Sequence, residues 1–492
     1  MTIFKFDLYR GLRLRQNDIL EEAEALGRTL GVPDALKGRI GVSASNSSAP
    51  GPLRPAVVEA LVRGSGDYVP LVQIGDDVRR VVKSVLGDGY DAAVVNGAEA
   101  GLATSYAALL APSQVGAGDS ARARVVVPYE RHIEHHASYG RTVPGIYKDL
   151  FADRGATAGE LGLLGRRLHN VDIALVKLAG ARYPVHGIKS YPVPLLLNVD
   201  AEASAAALAR AADVDAAQLA GFVALGYDTP GFGHGQKDAD GTSVLHRRLG
   251  EVAAERGVPF VVDNAWGMPF LGTDLRRIGA DVAFYSMDKV AGGPTAGLII
   301  GREEPMVNIR RALGVHSERF GSVSAHGKAS HVAFDPGKEA LAGTLAALRV
   351  LRDEPRAILD PIDTTFAIVK EEFAKLSSGF KPGIQITRSV NAGGVEINYE
   401  RTWDGLAEGS FGIPIFTHED RIAQTNVLNN ALARMGIVPN LSDDANILIT
   451  PGAGTFNANG ELDEERVRLV VRGQLLALKL IQDWGDRIAA DA

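Results

Sequence analysis

Four residues near the ends of two neighbouring apolar runs could do chemistry together. The run VPFVVD ends at Asp263 and Ala265 follows two residues later, while the run DVAFYSM contains Ser286 and leads to Lys289. A lone aspartate after a strand usually caps a helix or forms a turn, and a lone lysine is usually a solvated surface charge. A partly deprotonated lysine amine, however, attacks carbonyl carbons. A buried carboxylate, here 26 residues before the lysine, stabilises a nearby cation.

The combined pattern of D-x-A, S-x-x-K and G-G-P-x-x-G between three strand-like runs resembles the aspartate-aminotransferase fold (fold type I) of pyridoxal-phosphate enzymes. The resemblance implies that pyridoxal 5'-phosphate is the cofactor and that Lys289 forms the internal aldimine with it. It also implies that Asp263 pairs with the pyridine nitrogen, that Ala265 packs under the ring, and that Ser286 donates a hydrogen bond to the phosphate. Burial near a cationic cofactor is expected to lower the pKa of Lys289.

A glycine-rich turn after the run YDAAVVN is a candidate phosphate loop. Gly97, Ala98 and Glu99 open a helical stretch there, and backbone N–H groups at a helix N-terminus bind anions. The turn is similar to the family's G-T-E-A loop, with Ala98 in place of threonine, so one hydroxyl contact is expected to be lost. A dinucleotide site is the competing interpretation, but the turn lacks G-x-G-x-x-G.

Histidines cluster after the run RVVVP, in the stretch YERHIEHH. Glu134-His135-His136 resembles the E-H-H or E-H-K stretch from which desulfurases and related lyases stack a histidine on the cofactor ring. His132 fits the spacing of some decarboxylases of this fold. We expect His135 to be catalytic and His132 to contact the cofactor, with the stacking residue left open between them. A metal site is the alternative, but no cysteine or well-placed carboxylate completes a zinc pattern, so no metal is predicted.

Two further positions depart from the family's pattern. Asp228 follows the run GFVALGY where many relatives carry an asparagine that binds the cofactor's phenolic oxygen, so Asp228 is either a cofactor contact or a turn former. Gly452 stands where relatives carry an arginine for the substrate carboxylate. Arg388, which follows the run GIQIT, is the first candidate to replace that arginine, and a surface arginine is the competing interpretation.

The closest local resemblance is to β-eliminating lyases of the tryptophanase and tyrosine phenol-lyase kind, through S-x-x-K-x-x-x-x-P-x-x-G-L in SMDKVAGGPTAGL. It implies an amino-acid substrate, an external aldimine and a Cα carbanion, followed by β- or γ-elimination or replacement, with biosynthetic carbon–carbon bond formation as a variant. The absence of cysteine argues against ordinary desulfurase activity, although the chain also resembles cysteine-desulfurase-like aminotransferases. Aminotransferase activity and a catalytically silent regulatory role remain alternatives.

The elements that must position these residues form an alternation of strands and helices. Apolar, β-branched runs predict strands, and they are separated by helical stretches, which indicates a mostly parallel sheet with ligands at the carboxyl ends of its strands. Residues 341–376 read as helices interrupted near Pro355 and Pro361. The predicted strands are 90–96, 124–128, 171–178, 221–227, 258–263, 281–287 and 296–301.

The predicted fold class is therefore α/β, with two domains. The large domain, residues 65–340, contains a mostly parallel seven-stranded sheet flanked by helices. A smaller α/β domain combines residues 1–64 with residues 341–492. The resemblance further implies a homodimer or higher homo-oligomer with shared active sites, in which the loop 317–327 approaches the partner's cofactor.

Composition excludes several classes of protein. The chain has 492 residues, is 46% hydrophobic and carries a formal charge of −7, with no basic stripe typical of nucleic-acid binders. Its apolar runs are far shorter than the roughly 20 residues that span a bilayer. The N-terminus lacks the features of a secretory signal. We therefore expect a cytoplasmic enzyme that binds a small amino-acid substrate, neither nucleic acid nor membrane.

Overall fold

The computed structural model describes most of the chain as helices, strands and short connections. The described residues are 5–41, 53–110, 122, 124–129, 189–194, 201–214, 216–230, 235–314, 334–403, 412–414, 416, 426–439, 442–443, 445–452, 454–457 and 460–491. The α-helices are α1 (Lys5–Leu14), α2 (Gln16–Leu30), α3 (Pro55–Gly66), α4 (Leu71–Leu86), α5 (Ala98–Ser105), α6 (Ala201–Asp213), α7 (Val244–Glu255), α8 (Leu275–Ile278), α9 (Glu303–Leu313), α10 (Gly337–Asp353), α11 (Arg356–Leu376), α12 (Val427–Arg434) and α13 (Glu464–Ala490). A π-helical turn, Tyr106–Leu110, follows α5, and short 3-10 turns cover Ala216–Gln218, Ser377–Gly379 and Glu400–Trp403.

The strands within the described residues belong to three sheets. Their bounds are β1 (Ile40–Gly41), β2 (Tyr90–Val95), β3 (Arg124–Tyr129), β4 (Lys189–Pro194), β5 (Leu219–Leu225), β6 (Phe260–Asp263), β7 (Val282–Ser286), β8 (Gly297–Arg302), β9 (Gln385–Ser389), β10 (Gly394–Asn398), β11 (Ile437–Val438), β12 (Ser442–Asp443) and β13 (Asn446–Ile449). The largest sheet has seven strands in the order β2-β8-β7-β6-β5-β3-β4. Strands β3 to β7 pair in parallel, and β8 runs antiparallel to β7 and β2. The predicted α/β class with a mostly parallel seven-stranded sheet is confirmed.

The apolar runs located most of the strands of this sheet. Strands β2, β3, β5, β6, β7 and β8 coincide with predicted strands, and β5 and β6 are buried along their whole length. The predicted strand 171–178 lies outside the described residues. Strand β4 was not predicted, because Pro192 and Pro194 interrupt its apolar pattern. It lies at the edge of the sheet, where prolines are tolerated because they need not donate to a second neighbour.

Helices pack on the sheet and close its core. Helix α5 contacts β7 and β8, α7 contacts β5 and β6, and α9 contacts β2 and β8. Ser243 caps the start of α7, and its side chain accepts a hydrogen bond from the backbone N–H of His246. Such a cap stabilises a helix by about 1 kcal/mol. These helices hold the strand ends in place.

A buried ion cluster fixes the amino end of β2. Asp91 has no exposure to solvent, and its carboxylate accepts hydrogen bonds from Nε and Nη2 of Arg79 on α4 at 2.6 and 3.1 Å. Nε of Arg310 on α9 lies 3.1 Å from the same carboxylate. Arg79 also contacts the half-exposed Asp76 at 3.1 Å. One carboxylate therefore joins a strand and two helices.

The chain divides into two compact units. One contains the described residues of 53–355 with the seven-stranded sheet, and the other combines those before 53 with those from 356 onward. These limits lie outside the predicted 65 and 340, because α3 and α10 pack against each other within the larger unit.

The smaller unit has an antiparallel sheet in the order β12-β13-β10-β9, and a two-stranded sheet in which β1 pairs in parallel with β11. Its longest helix, α13, contacts α1, α2, α11 and α12. Helix α11 continues through Pro361, so the predicted interruption there is wrong. A proline near the start of a helix forfeits one backbone hydrogen bond, and packing against α13 compensates. None of the helices within the described ranges is long and apolar enough to cross a membrane.

We expect Asp91→Asn to lower the free energy of unfolding by about 3–5 kcal/mol, because it leaves the guanidinium groups of Arg79 and Arg310 without their buried counter-charge. Asp76→Asn removes a more exposed carboxylate from the same arginine and is expected to cost less than about 1 kcal/mol. Urea denaturation of the two variants measures the difference. Equal effects would contradict the assignment of Asp91 as the anchor.

Candidate active site

The ends of four strands bring the predicted loops together at one edge of the sheet. Leu225, the last residue of β5, pairs with Asp263, the last residue of β6. Ser286 ends β7 and pairs with Gly297, the first residue of β8, which in turn pairs with Val95 at the end of β2. The loops that follow β2, β5, β6 and β7 therefore leave the sheet side by side.

Asp263 is completely buried at this edge. Its Oδ1 accepts a hydrogen bond from the backbone N–H of Ala265 at 3.1 Å. The Ala265 carbonyl in turn accepts a hydrogen bond from the backbone N–H of Ser286 at 3.1 Å. Burial raises the pKa of Tyr106 well above its usual range, and the negative charge of Asp263 raises it further. The site thus combines a low dielectric with a fixed carboxylate.

Lys289 lies in the turn that joins β7 to β8. Its backbone N–H donates to the Ser286 carbonyl at 3.4 Å, and its carbonyl accepts from the N–H of Gly292 at 3.3 Å. The half-buried side chain reaches toward the loop after β6, where Nζ lies 5.4 Å from the ring centroid of Trp266. The structure therefore brings Lys289 to the loop that carries Asp263 and Ala265. Trp266 was missed from the sequence, although an aromatic residue directly after D-x-A could have suggested it.

Ser286 is buried, and its hydroxyl donates a hydrogen bond to Oδ1 of Asp288 at 2.5 Å. The family resemblance predicts that this hydroxyl donates to the phosphate of the cofactor instead. Asp288, itself buried, was not singled out. A phosphate contact by Ser286 would therefore require its hydroxyl to turn away from Asp288.

The Gly97 loop opens α5, as expected. Gly97 is the N-cap residue and has no side chain to cap the helix. The first backbone N–H groups of a helix that lacks such a cap could hold an anion. Ala98 is buried and Glu99 is exposed. Gly297 lies against this loop so closely that a Cβ there would be 2.2 Å from the Gly97 carbonyl oxygen. Close contact with β8 thus fixes the position of the helix start.

Asp228 follows β5 and forms an ion pair with Lys237. Next to them, His246 is completely buried, and its Nε2 lies 2.6 Å from the Leu225 carbonyl oxygen. Burial lowers the pKa of His246 to about 4, so the ring is neutral at pH 7 and donates from Nε2. Lys237 and His246 were not predicted, because their roles depend on contacts between residues far apart in the sequence.

The predicted substrate arginine lies in the smaller unit. Arg388 is on β9, and its Nε donates a hydrogen bond to Asp363 of α11. Gly452 lies in a turn that Thr455 closes, with the Thr455 hydroxyl 2.8 Å from the Gly452 nitrogen. A guanidinium is therefore available at position 388, already paired with a carboxylate.

The remaining predicted residues, His132, His135 and the loop 317–327, lie outside the described residues. Among the described residues, no group of three or more histidine, aspartate or glutamate side chains is placed to hold a metal ion.

We expect Gly297→Ala to destabilise the protein by about 1–3 kcal/mol, because the added methyl group overlaps the Gly97 carbonyl and overpacks the site. Gly97→Ala is the matched control: its Cβ would meet nothing closer than Oε2 of Glu99 at 3.7 Å. Thermal unfolding of both variants tests this. A Gly297→Ala variant as stable as Gly97→Ala would show that the contact is not tight.

The chain is similar to several proteins of known structure, and no family model matches it. The chain is similar to D-glucosaminate-6-phosphate ammonia-lyase, with 16% identity over 92% of this chain and 98% of that one, at a TM-score of 0.45. It is also similar to ureidoglycine-glyoxylate aminotransferase from Bacillus subtilis, with 14% identity over 90% and 96% and a TM-score of 0.47. Pyridoxamine-pyruvate aminotransferase from Mesorhizobium loti matches with 15% identity over 94% and 100% and a TM-score of 0.47.

Proposed function

We propose that the protein is a pyridoxal-phosphate-dependent enzyme that attaches its cofactor to Lys289 and transforms an amino acid. One observation carries this proposal: the buried carboxylate of Asp263 and the amine-bearing turn of Lys289 meet at adjacent strand ends, joined through the Ala265–Ser286 backbone hydrogen bond. A lone aspartate or lysine has ordinary structural roles, but a buried acid and a half-buried amine held together in this way suit a cationic, carbonyl-bearing ligand.

The residues of the site fit pyridoxal phosphate. Asp263 offers a buried anion to a protonated ring nitrogen, and Lys289 offers an amine to an aldehyde. The N-terminus of α5 offers backbone N–H groups to a phosphate. Asp228, which carries Lys237 as its counter-ion, and the buried Ala265 are candidates for the ring's remaining contacts. When bound, the cofactor supplies an electron sink for charge that develops at the substrate's Cα.

The protein's own residues would then hold and move protons. Asp263 would hold a proton on the ring nitrogen, because a charge-assisted hydrogen bond is stronger in a buried site than in water. The Lys289 amine removes a proton from the substrate's Cα and returns it where the reaction requires, acting as a general base and acid. We propose His135 as a further proton-transfer group and His132 as a cofactor contact, both on the sequence resemblance.

The favoured reaction is β- or γ-elimination or replacement, including its carbon–carbon bond-forming form, on the strength of the S-x-x-K-x-x-x-x-P-x-x-G-L motif. Arg388 is the group proposed to bind the substrate's carboxylate. To do so, its guanidinium would have to exchange the Asp363 carboxylate for that of the substrate. The resemblance also supports a homodimer or higher homo-oligomer. Product analysis with a panel of amino acids distinguishes the reactions: elimination releases a keto acid without consuming a second keto acid, whereas transamination requires one.

We predict that borohydride reduction in the presence of pyridoxal phosphate places the cofactor label on Lys289, because this lysine is half-buried and its Nζ lies 5.4 Å from the ring centroid of Trp266 in the loop that follows Asp263. Peptide mapping identifies the labelled lysine. Lys289→Ala is expected to lose the label and all turnover while it stays folded. Lys338→Ala, at a lysine that is also half-buried but whose Nζ donates to the Ser65 and Asp67 carbonyls, is expected to keep both. A label on another lysine would overturn the proposal.

We predict that Asp263→Asn binds the cofactor but loses about ten- to a hundredfold in turnover, because a charge-assisted hydrogen bond contributes roughly 1.5–3 kcal/mol. Asp281→Asn is the matched control. Asp281 is also buried, but at the opposite end of the neighbouring strand, where it accepts a hydrogen bond from the Phe260 N–H at 2.7 Å. Its substitution is expected to reduce stability and leave turnover per folded molecule unchanged. Unchanged turnover in Asp263→Asn would make that residue a structural cap.

A further inference from the structure

Trp266 has a fixed position beside the candidate site. Its side chain is only 4% exposed. The turn that carries it is closed by a hydrogen bond from the Gly267 N–H to the Asn264 carbonyl at 2.6 Å. A Cβ at Gly267 would lie 2.1 Å from the Asn264 side chain, so Gly267 packs directly against that side chain. The closed turn and the burial of the indole together define where its ring face lies.

That face is directed at the amine of Lys289. Nζ lies 5.4 Å from the indole ring centroid, within the roughly 6 Å over which a cation is attracted to an aromatic ring, and tryptophan gives the strongest such attraction. The attraction is larger where water is excluded, as it is around this buried ring. Lysine side chains have several freely rotating bonds, so a fixed partner restricts where the amine can lie.

We propose that the indole face of Trp266 is the resting position of the Lys289 ammonium whenever that amine is not bonded to the cofactor, which makes Trp266 a positioning residue for Lys289. The proposal deepens the proposed function, since it concerns the same lysine. Trp266 acts through Lys289 alone and requires no contact with substrate. The buried carboxylates of Asp263, at the end of β6, and Asp288, in the turn that carries Lys289, also favour the charged form of the amine. The ring adds to their effect by holding that charge at its face, and it keeps the amine close to its point of attachment.

The test measures how readily Lys289 loses that proton. The cofactor-free full-length chain is treated with trinitrobenzenesulfonate, which modifies only uncharged amines, and modification at Lys289 is followed by peptide mapping as a function of pH. Without the ring, the charged form is less stable, so modification of Trp266→Leu is expected to reach half its maximal rate at a lower pH. A shift of up to about one pH unit, or tenfold in rate below the midpoint, corresponds to the strength of such a contact. Trp266→Phe retains an aromatic face and should shift less.

A purely structural role for Trp266 gives a different result. It would lower thermal stability, or change all rates equally, and leave the pH midpoint of Lys289 unchanged. That outcome in a folded Trp266→Leu variant overturns the proposal.

Fluorinated tryptophan provides a test that does not depend on the folding of that variant. Fluorine withdraws electron density from the ring and keeps its shape, so the pH midpoint is expected to fall as fluorine is added. The chain has three tryptophans, and fluorinated Trp266→Phe protein, in which only the other two are changed, should show no such trend. A midpoint that does not respond to fluorination also overturns the proposal.

The two proposals fail separately, because modification of the amine needs no cofactor. If the pH midpoint falls in Trp266→Leu as expected but no borohydride-fixed label appears on Lys289, the proposed function is contradicted and the lysine–tryptophan contact stands. If Lys289 is labelled but its pH midpoint does not change in Trp266→Leu, the role of Trp266 is contradicted and the proposed function stands.

Discussion

A carboxylate that is completely removed from water has to be stabilised by hydrogen-bond donors or positive charge. Asp263 is such a carboxylate, so the loops at the carboxyl ends of the neighbouring strands have to supply that stabilisation. Its Oδ1 accepts a hydrogen bond from the backbone N–H of Ala265, where the chain turns after β6. The turn points the Ala265 carbonyl at the Ser286 N–H, and so fixes where β7 ends and where the segment bearing Lys289 begins. One buried charge thus sets the local backbone on two strands.

The two ends of β2 differ in what they contribute: the amino end contributes stability, and the carboxyl end leads to the proposed phosphate loop. At the amino end of β2, Asp91 holds two arginines in a buried cluster. At its carboxyl end, the chain turns into the Gly97 loop and α5, whose N-cap residue has no side chain to bond the first N–H groups of the helix. The first N–H groups of a helix have no partner within the helix, so they add little to stability. The ion cluster at the other end of β2 supplies stability that this helix start does not.

Sequence reasoning found what depends on local patterns and missed what depends on distant contacts. Apolar runs located β5 and β6, and spacing singled out Asp263 and Lys289. The edge strand β4 escaped because its prolines hide the pattern, and Pro361 did not break α11 because packing against α13 outweighs local preference. The Lys237–Asp228 pair and the position of Trp266 beside Lys289 were out of reach, because no periodicity records which side chains meet across loops.

Because β8 runs antiparallel to β7, the segment that carries Lys289 can change in length during evolution. Lys289 sits in the connection of a β-hairpin, since Ser286 and Gly297 pair directly and Met287 still bonds to Ala296 at 2.9 Å. Both ends of that connection are clamped by the sheet, so little chain entropy remains to be lost when the amine reacts. Insertions within a hairpin connection leave the register of its strands intact. The connection that carries Lys289 could therefore be lengthened over evolutionary time without rebuilding the core.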